Sequence, residues 1–292
     1  MIEKEKNTAE LRFAVLIDGD NAQPSSIEHV LREVVKFGKI TIRRIYGDWT
    51  TSQMESWKKY LPVNAIQPIQ QFRNTIGKNA TDSALIIDAM DILYSGNVDG
   101  FVIVSSDSDY TRLAIRLREE GKFVIGIGRQ HTPNPFVKAC DQFLFNENIL
   151  KQEQSRRKSG NGGKENVRKS EPPRKDREKE KEKKEIPVSA VEELVAAVHA
   201  ENPVDLVSEA YDMVETESDW KEITLVGHAL KRMDPAFDTR TYGFAKLSRM
   251  IKSMGDAFDL KWDEERQNYL VRRKESERPA DMEAGLPENP QG

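Results

Sequence analysis

RFAVLIDGDN, residues 12–21, reads as a buried strand that runs into a polar turn. A short apolar run of this kind, closed by Asp, Gly and Asn, marks the end of a strand rather than the middle of a helix. Outward from it, Ser25–Phe37 places Ile27, Val30, Leu31 and Val34 at helical spacing. Ile40–Tyr46 is a second strand rich in β-branched residues. Gln53–Tyr60 reads as a helix. Ala65–Phe72 holds a short strand whose Pro68 favours an edge or strand-end position. Asp82–Leu93 is a strongly apolar helix, Gly100–Ser105 a buried strand, and Tyr110–Glu120 a helix stopped by Gly121. Phe123–Ile127 and Gln142–Phe145 complete the strands. This alternation predicts an α/β fold, a parallel sheet with helices on both faces, over residues 1–150.

The chain of 292 residues is long enough for a second domain. Residues 151–187 contain almost nothing that enters a core and read as a disordered charged linker. Apolar periodicity returns over 188–274, with helices expected at Ala190–Ala200, Val204–Val214, Thr224–Met233 and Tyr242–Met254. Phe258–Trp262 and Asn268–Arg272 alternate like a small hairpin. Helices followed by a hairpin outline a winged helix, and 275–292 is a polar tail. Charge is uneven. Residues 1–150 carry 18 Lys/Arg against 19 Asp/Glu, the linker 14 against 8, and residues 188–292 13 against 22. A basic middle suits a phosphate-rich partner, or serves only to keep a linker solvated.

No apolar run reaches the length of a membrane span, and MIEKEKNTAELR at the start has no apolar signal core. The expectation is a cytoplasmic protein that does not engage a membrane. The lone Cys140 suits a reducing compartment, and one cysteine with four histidines argues against structural zinc.

Ligands of open parallel sheets sit outside the carboxyl ends of the strands. Asp18 and Asp20 lie at that end of the first strand, and Asp107 and Asp109 at that end of the fourth, in VIVSSDSDY. Those two strands are neighbours at the switch point of a doubly wound sheet. Asp82 opens the helix that leads into the fourth strand. Carboxylates gathered this way raise one another's pKa, and a hard cation relieves the conflict; oxygen-only ligands favour Mg2+ or Mn2+. Singly, each has a plain structural role: Asp109 and Asp82 as helix caps, Asp20 and Asn21 as turn residues. Their coincidence on one rim favours a metal site. Asp88 lies six residues beyond Asp82, about 120° around a helix. It is expected to support the site or pack the helix, not to face the metal with Asp82.

LIDGDN, GKNATDSALIIDAMDIL, VDGFVIVSSDSDYTRL, and VIGIG followed by TPNPFVKACD resemble, in order across residues 12–145, the LabA-like branch of the NYN family. The resemblance implies a PIN-like Rossmannoid fold and metal-dependent ribonuclease activity. It implies Asp18, Asp82, Asp107 and Asp109 as the acidic metal-binding positions, Asn21 as the polar residue after the first motif, and Lys78 as the basic residue before the helix. The aromatic after the last Asp is often Phe in that family; here it is Tyr110. The implied chemistry is hydrolysis with water as nucleophile, leaving 5′-phosphate and 3′-hydroxyl ends. His29, His131, His199 and His228 are scattered and read as surface or packing residues.

LIDGDN also resembles the start of haloacid-dehalogenase-like phosphatases. Those usually carry Thr or Val where this chain has Ala22, and no lysine further along makes a convincing partner.

The segment from about 204 to 273 resembles the OST-HTH/LOTUS domain. Trp220, the stretch Gly227–Leu230, Asp234–Pro235, Phe237, Tyr242–Gly243 and Lys246–Leu247 carry the likeness. Such domains are winged helices that bind RNA or protein partners. Trp220, Phe237, Tyr242, Phe244 and Phe258 are spaced as core residues. The acidic balance opposes general phosphate attraction, so RNA binding needs a local face, with Lys231, Arg232, Lys246, Arg249 and Lys252 as candidates. The competing reading of the whole chain is a catalytically inactive RNA-associated adaptor or regulatory protein.

Overall fold

The computed structural model describes residues 10–72, 80–152, 202–216 and 218–274. The opening apolar run forms β1 (Arg12–Asp18). It is joined by β2 (Lys39–Gly47), β3 (Gln67–Gln70), β4 (Gly100–Val104), β5 (Phe123–Gly128) and β6 (Gln142–Phe145). All pair in parallel in the order β3-β2-β1-β4-β5-β6. The order reverses between β1 and β4, so this is the switch point, and Pro68 sits in the edge strand β3.

Alternate residues of β1 feed two cores. Phe13, Val15 and Ile17 pack with Ile27, Val30, Leu31 and Val34 of α1 (Ile27–Val34). Ala14 and Leu16 pack on the other face with α4 (Ala80–Ser95), α5 (Thr111–Glu119) and α6 (Asn134–Ala139). Both faces of β1 and β4 are covered, and every residue of the two strands except Arg12 is buried.

Several boundaries differ from expectation. The helix expected over Gln53–Tyr60 ends as α2 (Ser52–Glu55), and a separate α3 (Leu61–Asn64) follows with Pro62 in its first turn. Ala65, in the left-handed region at φ 50, closes α3. The unexpected α6 likewise has Pro135 in its first turn, where a missing N–H costs nothing. A 3-10 turn at Ser108–Tyr110 precedes α5.

In the second unit, α7 (Pro203–Asp212), β7 (Lys221–Glu222), α8 (Ile223–Met233), α9 (Leu247–Ser253), β8 (Phe258–Asp263) and β9 (Asn268–Arg273) follow in sequence. The strands form an antiparallel sheet in the order β7-β9-β8, giving the winged-helix outline. The helix expected from Tyr242 starts only at Leu247, because Gly243 sits at φ 83 and Asp238 bonds back to the Arg240 amide. The expected helix at Ala190–Ala200, the tail 275–292 and all of the linker beyond residue 152 lie outside the described residues. No described helix is long and apolar enough to cross a membrane.

The loop between α8 and α9 docks on the β6 edge. The Phe143 amide donates to the Pro235 carbonyl at 2.7 Å, and Lys138 pairs with Asp234 at 3.0 Å. Asn148 donates to Thr241 at 2.8 Å. Arg240, largely buried, pairs with Asp238, reaches Glu33 at 3.2 Å and donates to Gln152 at 2.8 Å. Ala236 joins the core around Phe143. An edge strand exposes unpaired backbone groups, and here a neighbouring unit covers them.

Gly19 sits where β1 meets its turn. A Cβ there would lie 2.6 Å from Met54 Cε and 2.7 Å from the Tyr46 carbonyl oxygen. Gly19→Ala is therefore expected to destabilise the protein by about 1–3 kcal/mol, the usual cost of overpacking. An unchanged urea midpoint would show that the β1 turn has room to spare.

Candidate metal centre

The carboxyl ends of β1 and β4 lie side by side, with Ile17 opposite Val104. Asp18 is the last residue of β1 and is fully buried. Its oxygens accept from the Asp20 amide at 3.1 Å, the Asn21 amide at 3.3 Å, Asn21 Nδ2 at 2.7 Å and Ser105 Oγ at 2.8 Å. Burial raises its pKa, and these hydrogen bonds pull the other way.

Ser105 Oγ also accepts from the Asp107 amide at 3.0 Å. Asp107 caps the 3-10 turn, accepting from the Asp109 amide at 2.9 Å, so its backbone and side chain are both fixed. Asp82, in the first turn of α4, is half-buried and accepts from the Tyr110 hydroxyl at 2.7 Å. Burial raises the Asp82 pKa most. The Tyr110 bond lowers it, and the charges of Asp18, Asp107 and Asp109 raise it further. Burial and the charges of Asp18, Asp82 and Asp107 hold the Tyr110 phenol far above its ordinary range, so it stays a donor.

Asp82, Asp107 and Asp109 each offer an oxygen within 4.8 Å of the others, a set able to hold a cation. Asp18 stands outside that trio, although its charge is felt at Asp82. Its oxygens face Asn21 and Ser105. Asn21 thus orients Asp18. Asp20 lies outside the trio as well; its amide closes the turn on Asp18. Lys78 lies outside the described residues. Asp88 turns away to pair with Arg44 and accept from the Tyr46 hydroxyl, as a polar packing residue between α4 and β2. Among the described residues, Asp18, Asp82 and Asp107 have no Lys or Arg partner.

Two contributors escaped the sequence reading. Ser105 ties β4 to Asp18, and its only signal is its place in SSDSD. The Tyr110 hydroxyl gives a function to the departure from Phe.

On the winged helix, Lys231, Arg232, Lys246, Arg249 and Lys252 are all exposed. Lys231 and Lys246 line one cavity, and Lys246, Arg249 and Lys252 a second; Arg232 lines neither. Phe237 and Phe258 are buried, and Tyr242 and Phe244 pack against the same core. Trp220 departs from that pattern, with Lys261 and Arg272 over its ring at 4.1 and 4.7 Å from the ring centre.

An uncharacterized protein of Methanocaldococcus jannaschii is 29% identical over 131 residues, covering 43% of this chain and 50% of that one. The chain thus spans half the length of that relative. A protein of unknown function from Vibrio parahaemolyticus superimposes with TM-score 0.41 at 16% identity, covering 47% of this chain and 94% of that one. The WlbA dehydrogenase from Bordetella pertussis gives 0.27 at 16% identity, over 52% and 43% of the two chains. At these scores neither structural likeness bears on function. Family models match each of the two units in turn, and the chain therefore carries an NYN domain at residues 12–150 followed by an OST-HTH/LOTUS domain at residues 193–270.

Proposed function

We propose that the NYN domain hydrolyses RNA phosphodiester bonds with Mg2+ or Mn2+ held by Asp82, Asp107 and Asp109, with Asp18 behind them. The supporting observation is the trio of carboxylates within 4.8 Å of one another, set beside a fourth that is fully buried. Oxygen donors alone suit a hard cation. When bound, such an ion polarises a phosphate oxygen and lowers the pKa of water.

The remaining steps belong to the chain. Ser105 and Asn21 hold Asp18 in place behind the rim, and their hydrogen bonds favour its charged form against the cost of burial. The Tyr110 hydroxyl holds Asp82. The Asp107 cap fixes Asp109 beside it, so the negative rim is rigid before substrate arrives. Asn21 is a positioning residue in this scheme, and Lys78 is assigned to neutralising the phosphate. The winged helix supplies RNA or partner contacts, with residues 151–187 as its tether. The protein is assigned to the cytoplasm, where the buried Cys140 thiol, its pKa pushed up to about 12, stays reduced and protonated.

Incubation with single-stranded RNA and Mn2+ is expected to yield fragments with 5′-phosphate ends. Asp107→Asn should lower the rate at least a hundredfold, about 2.7 kcal/mol of barrier, and chelator should abolish cleavage. If wild type and variant both leave a broad panel of RNA and DNA intact while binding RNA equally, the protein is an adaptor.

Asp82 gives a stability test. Its folded pKa is raised, so the folded state binds more protons than the unfolded one between the two values. Stability is therefore lost as pH rises through that window. Without metal, Asp82→Asn should melt a few degrees higher near neutral pH, with the gain shrinking in acid. Mn2+ should raise the melting temperature of wild type more than that of the variant. Equal Mn2+ shifts would remove Asp82 from the metal site.

Tyr110→Phe removes the bond that lowers the Asp82 pKa. The acid limb of the rate–pH profile should move to higher pH, with little change on the plateau. An unmoved limb would reduce Tyr110 to a packing residue.

A further inference from the structure

The docking loop leaves a cleft on the seam of the two domains. It has a volume of about 610 Å3 and is lined from the NYN side by Lys36, Phe37 and Gln142, and from the winged helix by Lys231, Arg240 and Lys246. A second groove of about 600 Å3 continues from it along α9 to the hairpin, sharing Lys246, Ser248 and Tyr269 with the first.

The charge in these grooves is unevenly committed. The neighbouring acids are occupied: Glu33 with Lys36 and Arg240, Asp238 with Arg240, and Asp259 with Arg272 and Lys274. Glu222, outside the grooves, pairs with Arg266. Lys231, Lys246, Arg249 and Lys252 have no ion pair among the described residues. A domain that is acidic in total thus places four unpaired cations along one connected cleft. Tyr269, on the hairpin beside it, is 37% exposed and stacks edge-on against the 46% exposed Trp262, with ring centres 4.9 Å apart. Cations along a groove with an exposed aromatic at its rim suit a phosphate backbone with unpaired bases.

The cleft is separate from the carboxylates. α1 runs back from the end of β1, and Gly38, just beyond Lys36, packs on Leu11 at the start of β1. Asp18 closes the other end of the seven-residue strand, about 20 Å away at 3.3 Å per residue.

We propose that this seam cleft is a holding site for single-stranded RNA, gripped by the unpaired Lys231, Lys246 and Arg249 of the winged helix and jointly by Lys36 of the NYN domain, whose ammonium is shared with Glu33. It rests on the RNA reading of the carboxylate site, but not on cleavage. The test is lysine acetylation of the full chain, read by mass spectrometry, with and without a mixed-sequence single-stranded RNA in chelator, so that no cutting occurs. Lys36, Lys231 and Lys246 should lose reactivity together, while Lys58 and Lys122 keep theirs. Lys231→Glu with Lys246→Glu should weaken RNA binding by about tenfold or more and flatten its salt dependence, with an unchanged melting temperature. Protection confined to the winged helix, with Lys36 unaffected, overturns the joint site. No protection at all overturns it and points to a protein partner. Protection of all three lysines without any cleavage in the Mn2+ assay upholds the cleft and rejects the nuclease. Cleavage with an unprotected seam does the reverse.

Discussion

A carboxylate buried at the end of a central strand constrains everything around it. Asp18 has no exposed surface, and an ion taken out of water must be hydrogen-bonded or neutralised. The chain answers with two turn amides, one side-chain amide and one hydroxyl. Each donor depends on a particular piece of the fold. The turn amides need a tight chain reversal at Gly19, which has no room for a Cβ. The hydroxyl needs β4 beside β1, which is the switch point of the sheet. Meeting the needs of one aspartate therefore fixes the neighbours that make a rim of aspartates.

That rim cannot be understood as four equal ligands. Asp82, Asp107 and Asp109 converge, while Asp18 spends its lone pairs on its own support. The arrangement resembles a negative floor under a negative ring. Asp82 feels the other three charges, and the Tyr110 hydroxyl works against them. Like charges gathered at Asp82 are what the proposed cation would relieve.

The sequence made the strands and the aspartates legible because their signals are local and repeated. RFAVLID and GFVIV are covered on both faces and so read as unbroken apolar runs. Paired Asp-x-Asp motifs at two strand ends mark the rim before any coordinate is known. What was not legible depends on partners far away in the chain. Ser105 is an ordinary serine until Asp18 lies 2.8 Å from it. The helix expected from Tyr242 gives way because Arg240 is drawn into a network with Asp238, Glu33 and Gln152. α3 and α6 are too short for periodicity and begin with prolines that sequence rules read equally as turns.

Net charge misleads in the same way. An acidic total over residues 188–292 argues against a polyanion, yet charges act within about a Debye length and in pairs. Asp212, Asp234, Asp238 and Asp259 each face a specific Arg or Lys, and three of those cations belong to the winged helix itself or its hairpin. Lys231 of α8 and Arg249 and Lys252 of α9 have no such partner among the described residues, and they line the two connected grooves. The docking loop that covers the β6 edge also brings Lys231 and Lys246 into one cleft with Lys36 of the NYN domain. The two domains share a surface through the same residues that set its charge.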